Sequence, residues 1–354
     1  MKRLLVCFLT ALPILLNAQL AELEKSDKGL PLPGETFKLN GNEAFIILPT
    51  NAEKDIPWVW YAPTLKGLPS NAEKWMFEKF LDNGIAIAGI DVGESYGSPK
   101  GVEIYSSFYK HLVEVRRFKS KPCLLARSRG GLMLYNWAIE NPDSTAGVAG
   151  IYPVCNIASY PGIEKAAGAY ELTTEQLEAE LAKHNPIDRL EPLAKAKVPI
   201  LHIHGDQDKL VPLDLNSAVI WKRYSELGGP VEVDVMKGQG HNMWKGWFQS
   251  EKLTDFIIAC ALGEEFSLGV QHPVTIEGKL EGGMIAVGGE TTGWQLLYKE
   301  SGEERSIQVD MSTIEVADIY DGKEVKVSGE IYTAPYVERG PVLVLRAARI
   351  QVDQ

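Results

Sequence analysis

The chain has 354 residues, 45% of them hydrophobic and 23% charged, with 36 basic against 47 acidic side chains and a formal charge of −11. That length exceeds one small domain, and the composition excludes both a disordered chain and a membrane-embedded body. The acidity repels phosphate backbones and anionic lipid, so no nucleic-acid or membrane-surface partner is expected.

The chain opens with Met1-Lys2-Arg3, an apolar run over 4–16 and Asn17-Ala18-Gln19, which is the layout of a secretory leader. Cleavage is expected after Ala18, giving an exported protein, periplasmic or extracellular, with no membrane insertion. The run is shorter than the ~20 residues a spanning helix needs, and Cys7 lies within it rather than after it. Removing Lys2 and Arg3 takes the basic residues from 36 to 34 against 47 acidic, and the charge from −11 to −13. Cys123, Cys155 and Cys260 remain. An odd number permits one disulfide at most, and buried free thiols are expected.

Stretches 36–39 and 44–48 flank Asn40-Gly41-Asn42, a hairpin signal. From 57 to 262, strand-like and helix-like segments alternate, the pattern of a mostly parallel sheet with helices on both faces. We read strands at 58–62, 85–90, 123–126, 147–152, 200–204 and 231–236, and helices at 71–82, 102–115, 130–141, 215–227 and 250–261. The connection 155–197 is too long for a βα loop and carries a charged helix at 173–183, so a short cap over the sheet is expected. After Gly263 the helical signals stop. Alternating runs at 274–280, 294–298, 306–309, 325–331 and 342–352, separated by turn pairs such as Gly282-Gly283 and Asp321-Gly322, predict a small all-β barrel or sandwich. The expected division is a leader at 1–18, an α/β domain at 19–264 and an accessory β-domain at 265–354.

The chemically informative stretch is Ala126-Arg127-Ser128-Arg129-Gly130, where a strand runs into a serine flanked by small residues and a helix follows at once. Such a turn holds a hydroxyl out above a sheet edge. A serine hydroxyl is barely nucleophilic unaided, so an imidazole must take its proton. His241, in Gly238-Gln239-Gly240-His241 after the last strand, fits that need. The imidazole requires a carboxylate to set its tautomer and stabilise its charge, and the loop Gly205-Asp206-Gln207-Asp208 supplies two.

Ser, Asp and His in that order, each just past the end of a strand, resemble the α/β-hydrolase superfamily over 57–262, particularly secreted bacterial serine hydrolases near the prolyl oligopeptidase and dienelactone hydrolase branches. Ala126 departs from that family's glycine. The resemblance implies Ser128 as nucleophile, His241 as base and, by the spacing to Val211-Pro212, Asp208 as the acid, with Asp206 satisfying backbone donors. It also implies an oxyanion donor at the Arg129 N–H and a second from the loop Tyr61-Ala62-Pro63-Thr64. Pro63 has no N–H, which leaves Ala62, Thr64 or a side chain. Ser128-Arg129 is similar to the Ser-Arg pair of glucuronoyl esterases, where the arginine side chain helps hold the oxyanion; the alternative is an arginine paired with a surface acid.

Glu94 and Tyr96, in a glycine-rich loop after a strand, are candidate substrate contacts or simply a turn. Trp244 and Trp247 are a candidate sugar-stacking wall or packed aromatics. His202 and His204 share one face of a strand as two metal ligands would, but no third ligand is evident, so no metal is expected. The reading is hydrolysis of a carboxylic ester through an acyl-enzyme, without a cofactor, on a small-molecule or carbohydrate ester, acylated or uronate-containing. A prolyl-oligopeptidase-like serine peptidase is the alternative within the enzyme class, and a non-catalytic glycan-binding protein the alternative outside it. Oligomeric state is not indicated.

Overall fold

The computed structural model describes residues 24–50, 52, 54–266, 268, 274–286, 289–300, 303–336 and 339–352. The expected leader at 1–18 lies outside the described residues. No helix among the described residues is long and apolar enough to cross a membrane.

Strands β1 (Glu35–Leu39) and β2 (Asn42–Ile47) form an antiparallel hairpin. Its turn places Asn40 and Gly41 at φ 51° and 83°, the left-handed pair a two-residue hairpin requires. Then follow β3 (Trp58–Ala62), β4 (Ala86–Ile90), β5 (Cys123–Arg127), β6 (Gly147–Ile151), β7 (Ile200–Gly205) and β8 (Val231–Met236), in an eight-stranded sheet of order β1-β2-β4-β3-β5-β6-β7-β8. From β4 to β8 every pairing is parallel. The interior strands read as unbroken apolar runs because both faces are covered.

One face packs against α1 (Lys74–Asp82) and α10 (Glu251–Leu262), through residues such as Tyr61, Phe77, Leu125 and Phe256. The other packs against α2 (Pro99–Lys110), α3 (Gly130–Glu140) and α8 (Ser217–Glu226). That second core is built on tryptophan: Trp60 lies 4.7 Å from Trp137 and 5.3 Å from Trp58, centroid to centroid, with the ring of Tyr105 5.1 Å away. α2 starts at Ser98, whose hydroxyl caps the Gly101 N–H, and runs into a π-helical turn at His111–Val115, so the segment read as one helix changes its winding partway.

The cap is present, but its predicted single helix at 173–183 is two. α5 (Thr174–Ala179), opened by a Thr173/Gln176 capping box, ends at Glu180, and α6 (Leu181–His184) begins after it, because Glu180 sits at φ −107°, ψ 9°. With α4 (Ile163–Ala167) these helices surround a cluster of Tyr96, Leu132, Val154, Tyr170, Leu177 and Val211, which seats the cap on the carboxyl ends of the strands. α7 (Glu191–Lys195) leads into β7, and α9 (Lys245–Phe248) precedes α10.

The C-terminal strands β9 (Val274–Glu281), β10 (Gln295–Glu300), β11 (Glu303–Asp310), β12 (Glu324–Tyr336) and β13 (Gly340–Val352) close into a barrel of order β10-β11-β13-β12-β9, not a sandwich. Only the β11–β13 pair is parallel. Leu280, Leu296, Val309, Val327 and Leu345 fill it. β12 bulges at Ser328/Gly329, where a β-carbon on Gly329 would come within 1.9 Å of the Arg346 carbonyl. Cys123, Cys155 and Cys260 are free and buried.

Trp60→Ala removes the hub of the tryptophan core. A loss of about 3–5 kcal/mol is expected, read by urea denaturation followed by far-UV circular dichroism; a loss under about 1 kcal/mol would contradict this account of the core.

Candidate active site

β5 ends directly in Ser128, whose φ is +49°, a left-handed conformation for a residue with a β-carbon. The strain is held by backbone hydrogen bonds on both sides. The Ser128 N–H donates to the Ile151 carbonyl at 3.0 Å, and its carbonyl accepts from Gly131 and Val154 at 2.9 and 2.8 Å. The two glycines that follow are required by space: a β-carbon would come within 2.2 Å of the Ala62 carbonyl at Gly130, and within 2.2 Å of the Val154 carbonyl at Gly131. Ala126 fits where the family motif has glycine because its register partners in the flanking strands are themselves small, Ala62 and Gly150.

The loops after β7 and β8 are clamped backbone to backbone. Gln207 N–H donates to the Gln239 carbonyl at 2.9 Å, and the Asp206 carboxylate accepts from the Gly238 N–H at 2.6 Å, so Asp206 organises the turn. Gly205 permits this approach, since a β-carbon there would come within 2.1 Å of the Gln239 carbonyl. The clamp carries Asp208 and His241 to Ser128. His241 Nε2 lies 2.9 Å from Ser128 Oγ, and His241 Nδ1 lies 2.7 Å from Asp208 Oδ2. A carboxylate only accepts, so Nδ1 carries the hydrogen and Nε2 presents its lone pair to the serine.

Asp208 has a fully buried side chain. Its Oδ1 accepts from the Leu210 and Val211 N–H groups at 3.0 and 2.9 Å. Burial alone would raise its pKa, but the donors His204, His241 and Val211 and the charge on His241 outweigh burial and hold the carboxyl well below the usual carboxylate range. The imidazole of His241 also packs on Tyr152, 4.2 Å between centroids.

Arg129, the N-cap residue of α3, places its N–H at the positive end of that helix. Its guanidinium pairs with Glu94 and lies over the Tyr160 ring at 5.6 Å. Ala62 ends β3 and joins Pro63 through a cis peptide. The Thr64 hydroxyl is committed to the Ile90 carbonyl, so only its backbone N–H is left to serve an oxyanion. Tyr96 is buried, with its carbonyl receiving the Tyr170 hydroxyl at 2.8 Å. Trp244 is 41% exposed and meets the Trp247 ring edge-on at 5.3 Å, whereas Trp247 is fully enclosed, its N–H on Asn242. Trp247 therefore backs Trp244 and Tyr152 and offers no face of its own. His202 and His204 are buried on β7, with every ring nitrogen on a protein partner.

A second buried ion pair was not anticipated from the sequence. The fully enclosed Glu73 accepts from the Tyr61 hydroxyl at 2.8 Å, from the Ser70 N–H and hydroxyl at 2.9 Å, and from the guanidinium of Arg127, the residue just before the nucleophile. Arg127 continues to Met243 Sδ at 3.0 Å and over the Phe248 ring at 4.9 Å. It thus ties the segment between β3 and α1 to the elbow and to the histidine loop. The only sequence signal is Arg127, a charged residue at the end of an otherwise apolar strand.

Because the folded state depresses the Asp208 pKa, its contribution to stability is fully present above the ordinary aspartate value near 4 and is lost as pH falls below it. Asp208→Asn should make stability less dependent on pH between about 5 and 3 than in the wild type, measured as urea midpoints; parallel pH profiles would contradict the depression. Gly130→Ala should lower activity more than the wild-type melting temperature shift alone explains, because relief of the contact with Ala62 displaces the elbow.

A model of the prolyl oligopeptidase family matches residues 117–260, and no curated protein matches the chain. Among solved structures the chain is similar to a protein described as a dipeptidyl aminopeptidase IV from Bacteroides ovatus, at 17% identity and a TM-score of 0.51, covering 66% of this chain and 36% of that one. It therefore spans about a third of that relative's length. An S-formylglutathione hydrolase from Agrobacterium tumefaciens is similar at 13% identity and a TM-score of 0.53, over 68% of this chain and 99% of that one. Est1E from Butyrivibrio proteoclasticus is similar at 16% identity and a TM-score of 0.50, over 65% and 100%. The family match spans the elbow and both loops, and the solved structures share the fold of the α/β part of this chain.

Proposed function

We propose that the protein is an exported esterase that cleaves a carboxylic ester through an acyl-enzyme on Ser128. The observation that carries this is the hydrogen-bonded series Ser128 Oγ, His241, Asp208, with contacts of 2.9 and 2.7 Å. In the proposed reaction His241 Nε2 takes the hydroxyl proton as Oγ attacks the ester carbonyl carbon, and Asp208 stabilises the imidazolium. The Arg129 N–H and a backbone N–H of Ala62 or Thr64 receive the oxyanion. Collapse breaks the bond to the leaving oxygen, which takes the proton from His241. Water then attacks the acyl carbon, giving a proton to His241; the bond to Ser128 Oγ breaks, Oγ takes that proton back from His241, and the carboxylic acid leaves.

The Arg129 guanidinium, paired with an exposed Glu94 over Tyr160, supports an acidic or uronate-bearing carbohydrate ester as substrate, since a substrate carboxylate can replace Glu94 as its partner. Glu94 and the exposed ring of Trp244 are the proposed contacts for the sugar. The division proposed is a leader at 1–18, a catalytic domain at 19–264 and an accessory barrel at 265–354.

The match to the prolyl oligopeptidase family favours a second reading, a serine peptidase. Fluorophosphonate labelling should disappear in Ser128→Ala, and p-nitrophenyl acetate should be turned over faster than proline-containing peptide amides. Preference for the amides reverses the order of the two readings, and a folded wild type that does not label removes both in favour of a glycan-binding protein. Arg129→Gln should lower the ratio of kcat/KM for an acetyl ester of a sugar bearing a free uronate carboxylate over a neutral acetyl ester about tenfold, the equivalent of one charge-assisted hydrogen bond; an unchanged ratio would rule out the acidic substrate.

A further inference from the structure

Behind the acid loop lies a chain of buried polar groups that the proposed reaction does not use. Tyr135 on α3, His202 and His204 on β7 and Ser217 at the start of α8 are all fully enclosed. The Tyr135 hydroxyl is 2.7 Å from His202 Nε2, His202 Nδ1 is 2.9 Å from Ser217 Oγ, Ser217 Oγ is 2.8 Å from His204 Nδ1, and His204 Nε2 is 2.8 Å from the Val211 carbonyl.

One end of the chain sets the order of its protons. The Val211 carbonyl only accepts, so His204 carries its hydrogen on Nε2 and accepts at Nδ1. Ser217 then donates to His204 and accepts from the His202 Nδ1–H, which leaves His202 Nε2 to accept from Tyr135. Every group is satisfied with both rings neutral. Burial, with His204 alongside, pushes His202 down to about 3, and burial beside Cys155 and Tyr224 raises the Tyr135 phenol, which keeps it a donor.

The result is that Val211 is held at both ends. Its N–H donates to Asp208 Oδ1 at 2.9 Å and its carbonyl accepts from His204, while the same His204 N–H faces Asp208 Oδ2 at 3.6 Å. We infer that His204, oriented through Ser217 by His202 and Tyr135, is a positioning residue that fixes the Asp208 carboxylate against His241. The inference rests on Asp208 being the acid of the proposed reaction. Because Tyr135 belongs to the helix that the serine elbow opens, the chain ties the nucleophile's helix to the acid's loop across β7.

The test compares Ser217→Ala, His204→Leu and His204→Gln with Asp208→Asn as reference, on p-nitrophenyl acetate across pH. Ser217→Ala, which loses a single hydroxyl and should remain folded, is expected to lower kcat about tenfold with little change in KM. The acidic limb of its kcat/KM profile should move to lower pH, toward that of Asp208→Asn, because the imidazolium loses part of its carboxylate support. His204→Gln, whose amide N–H can reach the Val211 carbonyl, should recover most of what His204→Leu loses. A folded Ser217→Ala enzyme with wild-type kcat and an unmoved acidic limb overturns the inference, as does His204→Gln performing no better than His204→Leu. If Asp208→Asn keeps full activity, the assignment of the acid fails and the inference with it; if Asp208→Asn is impaired while the other variants are not, the inference alone fails.

Discussion

The left-handed backbone at Ser128 is a local cost that the surrounding sheet has to carry. At φ +49° the residue gives up ordinary backbone geometry so that its hydroxyl stands clear of the strand end. What keeps it there is contact at backbone distance on two sides. Gly130 lies under the Ala62 carbonyl, and Gly131 lies under Val154, each with no space for a β-carbon. β3 and β6 therefore act as jaws, and their separation is fixed by pairing with β5 between them. The elbow is strained because the parallel sheet is rigid enough to strain it.

Charge around this point is distributed by the same economy of burial. Two carboxylates, Asp208 and Glu73, have side chains fully removed from solvent, and each is surrounded by donors. An unpaired buried carboxylate would be unaffordable, so each becomes a fixed node. Asp208 is held by its own loop and by His241. Glu73 is held by the start of α1, by Tyr61 and by Arg127. The partners of these two nodes, His241 and Arg127, lie on either side of the chain at Ser128: one meets the hydroxyl, the other leaves the backbone one residue earlier and reaches Met243, two residues past His241. The histidine loop is thus gripped from β7 and from β5.

How much of this could be read from the sequence depends on how local each signal is. β3 runs over the residues predicted for it, and β5, β6, β7 and β8 agree to within a residue at either end, because an unbroken apolar run between turn residues is a local pattern. The alternation of strand and helix was enough to place Ser128, Asp208 and His241 at one edge of the sheet. The Glu73–Arg127 pair was invisible because its partners are 54 positions apart and nothing in either segment names the other. The sequence around Glu180 favours helix throughout; in the fold the helix breaks there, with Leu177 and Leu181 on either side both packed in the cluster that holds Tyr96 and Leu132. Trp247 shows the same limit in reverse. Two tryptophans close to His241 look alike in sequence, and only the fold decides that one is exposed and the other enclosed.

The barrel's position follows from an exposed edge. In the order β1-β2-β4-β3-β5-β6-β7-β8, β8 has a ladder on one side alone, and an uncovered edge strand invites pairing with other chains. β12 packs against β8 and α8, with Tyr332 against Trp221 at 5.8 Å and Arg346 over the Tyr332 ring at 4.7 Å, its Nε 3.2 Å from Asp310. β8 is also the strand that delivers His241, and it is only half buried along its length, unlike the strands inside the sheet. Covering this edge steadies an end strand of the sheet, the one that leads into the His241 loop. The structural link from the barrel to the site therefore runs through β8.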